Sequence, residues 1–255
     1  MLKRKIHILI PLPDYGFDPT EAAIPWKWLS ESGFGITFAT PRGHKAQGDR
    51  IMLSGEGLGV WAKLLKARAD AVRAYAEMEQ NTDFQHPISY SAIDPQDYDA
   101  LYLPGGHDKG VREYLESPIL QSVIPYFFTE DKKVAAICHG VLLLARSMDP
   151  QSGQSVLYAR KTTCLLKTQE RLAYHLTKQR LGDYYLTYPE TTVEDEVKSA
   201  LQSSRQFVSG PKPVFRDTKN NTKHGFSLRD GNYLSARWPG DIYNFTFAFK
   251  QLLLE

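Results

Sequence analysis

Short apolar runs alternate along the chain with longer segments of mixed polarity. Residues 5–11 (KIHILIP), 35–41 (GITFATP), 98–106 (YDALYLPGG) and 134–138 (VAAIC) are compact apolar runs. Glycine or proline bounds several of them, and they read as buried strands of a mostly parallel sheet. The intervening segments carry helical signals. Residues 19–32 predict a helix that stops at Gly33, and residues 60–80 predict an alanine-rich helix. A helix or helix pair is expected over 111–129, restarting at Ser117-Pro118. The run GVLLLARS follows VAAIC directly as a helix. RKTTCLL (160–166) reads as a further strand, and KTQERLAYHLTKQR (167–180) as a polar helix. TTVEDEVKSALQ opens with a threonine cap and an acidic first turn, both helix-start signals. FSLRDGNYLSA predicts a hairpin turning at Asp230-Gly231, and a closing helix begins near Gly240. Residues 42–59, rich in glycine and polar side chains, read as a loop excursion.

Strand–helix alternation of this kind predicts an α/β fold. No repeat, low-complexity tract or linker interrupts it, so residues 1–255 form one expected domain, with insertions at about 43–90 and 211–224. Composition narrows the function. At 42% apolar and 24% charged residues, the chain is that of an ordinary globular protein. Its net charge of +2 comes from interspersed residues with no basic stripe, which argues against a nucleic-acid or anionic-membrane partner. No run approaches the roughly 18 apolar residues of a membrane helix. The start, MLKRKIHILIPLPDYG, places basic residues before an apolar run as a secretory leader does. The run is too short, however, and Pro11 and Pro13 interrupt it, so it reads as the first strand. Two cysteines make no disulfide framework, and the expectation is a reducing cytoplasm. No histidines group at zinc-site spacing, so no metal is expected.

Cys138 stands out by position. It falls at the carboxyl end of a predicted buried strand, where the next helix begins, and open α/β sheets bind ligands there. A helix start offers free N–H groups and partial positive charge, which favour a thiolate and can hold an oxyanion. A free cysteine is also commonly a small buried hydrophobe, a role that fits Cys164 in TTCLL. Gly105-Gly106, at the end of another predicted strand, would let backbone approach a ligand, although tight turns use such pairs widely. Glu21, at the start of the first helix, also fits as an ordinary first-turn glutamate.

Taken in order, E-x-x-I-P-x-x-x-L-x-x-S-G (21–33), LPGGH (103–107) and AAICHG (135–140) resemble the ThiJ/PfpI superfamily. The resemblance spans most of the chain and implies a flavodoxin-like three-layer sandwich of the class I glutamine-amidotransferase type, with a nucleophile elbow. It implies Cys138 as nucleophile, Glu21 as the acid beside it, and Gly106 with the His139 backbone as oxyanion-hole donors. His139 follows the cysteine directly, as in the branch of heat-shock chaperones with glyoxalase III activity. That branch orients the histidine with an acidic residue, for which Glu170 is the candidate, ahead of Glu194 and Asp195. Gly105, His107, Tyr15, Trp26 and Trp238 are candidates to line the pocket; the aromatic three also fit plain packing.

The implied activity is glutathione-independent conversion of a 2-oxoaldehyde to a 2-hydroxy acid, or the related deglycase chemistry. It needs no cofactor, takes a small carbonyl compound as substrate, and in this superfamily often resides in a homodimer. The same nucleophile would serve a cysteine amidase or peptidase. A stress holdase or redox sensor is the non-catalytic alternative.

Overall fold

The computed structural model describes residues 5–255; the basic start of the chain, residues 1–4, lies outside the described residues. Seven strands form the main sheet in the order β5-β3-β1-β6-β7-β9-β8. They are β1 (His7–Pro11), β3 (Gly35–Thr40), β5 (Ile88–Ser89), β6 (Ala100–Leu103), β7 (Lys133–Ile137), β8 (Ser227–Asp230) and β9 (Tyr233–Ala236). All neighbours are parallel except β8 and β9, the predicted hairpin. Its turn falls at Asp230-Gly231, with Gly231 in the left-handed region at φ 63°. A separate two-stranded piece pairs β2 (Tyr15–Phe17) with β4 (Gln47–Gly48).

The chain runs outward from β1 through β3 to β5, then returns to β6 and continues through β7 to the hairpin. The reversal opens a crevice between the carboxyl ends of β1 and β6, the place where such sheets bind ligands. The central strand β6 is fully buried and β7 is buried from Val134 onward, as strands covered on both faces must be. The helix Pro19–Glu31 packs against Ala69–Glu79 and the closing helix Ile242–Leu254. The helices Pro118–Thr129, Gly140–Arg146 and Val193–Ser199 pack in a second group. No helix among the described residues is long and apolar enough to cross a membrane.

Three expectations change. Residues 160–166 do not form a sheet strand: their β-bridge pairs Thr162 with Phe207, outside the main sheet. The hairpin's side chains satisfy the segment's backbone instead, with Lys161 N–H donating to Asp230 (2.7 Å) and Thr163 N–H to Ser235 Oγ (3.1 Å). The single helix expected over 60–80 breaks at residues 66–68, because Ala67 N–H leaves the helical pattern to donate to Met52 O (2.9 Å). The expected loop excursion is partly regular: it contains β4 and a helical turn, Arg50–Ser54, capped by the Asp49 carboxylate.

The run SARWPGD after β9 has a structural explanation. Arg237 and Asp241 are both fully buried and pair bidentately, with Nε to Oδ2 and Nη2 to Oδ1 each 2.8 Å. Arg237 also donates to Ser209 O and Pro211 O, and Asp241 accepts from Phe226 N–H (2.9 Å). The pair thus ties the loop near residue 210 to the carboxyl end of the sheet. Removing one partner of such a pair costs about 3–5 kcal/mol, since the other is left charged and buried.

Candidate active site

Three turns at the carboxyl end of the sheet converge. Asp18 caps the helix Pro19–Glu31, its Oδ1 accepting from Thr20 N–H (2.8 Å) and Glu21 N–H (3.1 Å). Asp18 N–H in turn donates to Gly105 O (2.8 Å), which holds that helix start against the turn after β6. Glu21 is therefore fixed with its carboxylate inward, fully buried, and its Oε2 accepts Gly105 N–H at 2.8 Å. Tyr102 on β6 donates to Glu21 O (2.6 Å) and completes the clamp.

Cys138 follows β7 with φ 58°, one of two non-glycine residues with positive φ among the described residues. Such backbone strain costs about 1–3 kcal/mol and persists only where the surroundings enforce it. Here Cys138 N–H donates to Ala236 O (3.1 Å) on the β9 side, and Leu142 N–H to His139 O (2.9 Å) begins the helix. Glycines make the sharp turn possible. A Cβ on Gly105 would lie 2.6 Å from His139 N and 3.0 Å from both Cys138 Cβ and Glu21 Oε2. One on Gly140 would lie 2.2 Å from Leu103 O. The result is a strained strand-to-helix elbow at Cys138, packed against the end of β6.

Cys138 Sγ lies 3.4 Å from His139 Nδ1. His139 Nε2 lies 3.0 Å from Thr187 Oγ1, whose hydroxyl hydrogen goes to His107 O (2.8 Å). Thr187 must then accept at its oxygen, so Nε2 carries the imidazole hydrogen and Nδ1 presents a lone pair to the thiol. Burial, with His107 and Arg146 nearby, keeps His139 neutral, its pKa well below the ordinary value. His107, whose ring meets that of His139 edge-on at 5.0 Å, is pushed by burial down to about 4. The site thus holds a neutral base aimed at a thiol.

The thiol differs from the expectation of a dipole-favoured thiolate. Burial, then Glu21 and Asp18, push Cys138 well above the usual thiol range. The helix after it, Gly140–Arg146, spans only seven residues and does not offset that cost. Glu21 is likewise raised well above the carboxylate range by burial and Asp18. Its Oε1 makes no hydrogen bond of ordinary geometry among the described residues, although the carboxyl stands close enough to act on the thiol. Two neighbouring acids of this kind lose protons as a pair. The first deprotonation leaves one proton shared between them, and a thiolate facing a neutral Glu21 carboxyl is one form of that state.

Other expected residues sit elsewhere. Glu170 does not orient His139: it starts the helix Lys167–Leu181, is buried, and accepts Val193 N–H at 3.1 Å. Burial raises it to about 7. Glu194 and Asp195 pair with Lys198 and Lys167 instead. Thr187 holds the place expected for an acid. It lies in the irregular stretch 182–192, where no period singles it out. Trp26 packs into the main core and Tyr15 remains partly exposed; neither lines the cavity next to the site. His107 and Trp238 do. No group of metal-ligating side chains occurs among the described residues.

Fold and site together define a parallel-sheet α/β protein with a cysteine elbow and a buried histidine–carboxyl environment. The description ThiJ/PfpI family-like matches residues 12–211, and the chain belongs to that family. It is 28% identical to an uncharacterized Schizosaccharomyces pombe protein, C14C4.04, over 98% of this chain and 85% of that protein. It is 26% identical to glutathione-independent glyoxalase hsp3102 of the same yeast, over 59% of this chain and 60% of the other. The crystal structure of glyoxalase III from Candida albicans superposes with a TM-score of 0.70 at 17% identity, covering 97% of each chain.

Proposed function

We propose that this protein is a cysteine-dependent, glutathione-independent glyoxalase acting on 2-oxoaldehydes. The observation that carries the reading is the Cys138–His139–Thr187 line at the elbow, with Glu21 beside the sulfur. Relatives named as glyoxalases and deglycases, among them deglycase TK1284 of Thermococcus kodakarensis at 25% identity, support it.

Cys138 Sγ attacks the aldehyde carbon, and the thiol proton passes to the carbonyl oxygen by way of His139 or Glu21. The product is a hemithioacetal. The amides of Gly106 and His139 are the donors for the developing oxyanion. His139 Nδ1 then removes the C1 proton, giving an enediol, and a proton returned at C2 yields a thioester of the 2-hydroxy acid. Water cleaves the thioester, releasing the acid and restoring the thiol. The carbon skeleton is oxidised at C1 and reduced at C2, so no external oxidant is consumed. A base that is neutral at working pH suits both proton steps.

The test is lactate formation from methylglyoxal without glutathione, by wild type and Cys138→Ala in parallel. Lactate from wild type alone supports the reading; none from wild type, or equal amounts from both, contradicts it.

A further inference from the structure

A cavity of about 340 Å³ is lined in part by His107 and Asp18, both of which pack against the site. Cys138 is not part of the wall; His107, whose ring meets that of His139, and Asp18, whose charge acts on the thiol, link it to the cavity. The cavity falls within the range of about 300–1,000 Å³ that accommodates drug-sized ligands, far more than a three-carbon dicarbonyl fills.

Both insertions build its walls. Met52, Leu64 and Leu65 come from the first, and Pro213 and Val214 from the second. Leu172, Ala173 and Leu176 on the helix Lys167–Leu181 close the remaining side. Leu64, Leu172 and Val214 are each half exposed or more, so the apolar surface continues to the mouth.

The polar groups of the wall are few and incompletely paired. Arg216 spends its Nη groups on the carbonyls of Leu64, Leu65 and Lys66, while its buried Nε has no partner among the described residues. Trp238 Nε1, beneath the Arg216 guanidinium, and Tyr185 OH, next to His107, are buried without partners as well. These three unmatched donor groups share the wall with the Asp18 carboxyl and with the unpartnered His107 Nδ1 and Gln169 Oε1, and amid the apolar side chains they are complementary to an apolar body carrying acceptor oxygens.

We propose that this cavity holds the body of the substrate, and that the preferred substrates are 2-oxoaldehydes bearing an aromatic or extended apolar group with oxygen acceptors. The inference rests on the glyoxalase reading for its chemistry but not for its binding site. A large R group in R–CO–CHO leaves the reaction unchanged, with water added and R–CH(OH)–COOH released.

The test compares initial rates with phenylglyoxal and methylglyoxal and measures mandelate and lactate binding by calorimetry. Wild type should show at least a tenfold higher kcat/KM for phenylglyoxal and bind mandelate more tightly than lactate. Ala173→Phe, which fills the cavity, should lower the phenylglyoxal-to-methylglyoxal ratio at least tenfold. Val214→Asp, at an exposed position on the lip, should lower it several-fold with no risk to the core. A wild-type ratio of one or less, or a ratio unmoved in both variants, overturns the proposal. If wild type forms no hydroxy acid from either compound, the glyoxalase reading fails and mandelate binding decides alone. Binding weakened at least tenfold by Ala173→Phe then supports the cavity assignment, and no mandelate binding to wild type overturns it.

Discussion

The surroundings of Cys138 and Cys164 make an instructive pair. Both thiols are fully buried, and burial raises both well above the usual thiol range. Cys164 lies in the segment excluded from the sheet and donates to the adjacent Leu165 O at 3.4 Å. Cys138 occupies a left-handed turn with an imidazole nitrogen 3.4 Å from its sulfur and a carboxyl nearby. Burial and acidity alone do not separate them. What separates them is backbone geometry and the proton-handling groups that it collects.

The contrast breaks most sharply at the thiols themselves. Cys138→Ala should lower lactate formation at least about 1,000-fold, as loss of a covalent nucleophile does. Next in size is Gly105→Ala. The new methyl would press on His139 N and the elbow, and misplacing reacting groups by about 1 Å costs on the order of 100-fold. Circular dichroism should show the fold retained while kcat falls.

Thr187→Val removes the acceptor that fixes the His139 tautomer. We expect kcat to fall about tenfold with KM little changed, in line with a weakened general base. Thr187→Ser, which keeps the hydroxyl, should recover most of it.

Glu170→Gln should keep activity within about threefold and change stability instead. The folded-state pKa of Glu170 is raised from 4.5 to about 7, so its stabilisation is complete below the unfolded value and is lost as pH rises through 7. A neutral glutamine can still accept from Val193 and avoids that loss. At about 1.4 kcal/mol per unit, the variant should gain up to about 3 kcal/mol over wild type at pH 8 and little at pH 4. Urea midpoints across pH measure this. Cys164→Ala should show the smallest change, activity within about twofold and a stability loss of about 1–2 kcal/mol for a buried truncation.

The residues legible in the sequence are those at strand ends. Cys138 and Gly105-Gly106 stand out by their places at the ends of short strand–turn patterns, whereas Glu21 and His139 are picked out only by the ordered motifs that resemble the family. Thr187 was not legible. It meets His139 across 48 positions, from an irregular segment without period or cap, so only tertiary packing selects it. Glu170 misled for the related reason that a first-turn glutamate looks the same whether it faces a histidine or the Val193 amide. The strand expected at 160–166 does not form because an apolar β-branched run shows nothing of the partners its backbone meets, here hairpin side chains and residues 206 and 208. The cavity walls come from both insertions and from one face of a helix, and their convergence is a property of the fold.

On the proposed function, the turn at residue 138 makes one of two buried thiols the reactive one. The most direct measurement is iodoacetamide labelling of the native protein, followed by peptide mass mapping and lactate assay over the same time course. We expect label at Cys138 in step with loss of activity, with Cys164 protected until denaturant is added. Label at Cys164 tracking the loss, or full label at Cys138 with activity intact, would contradict it.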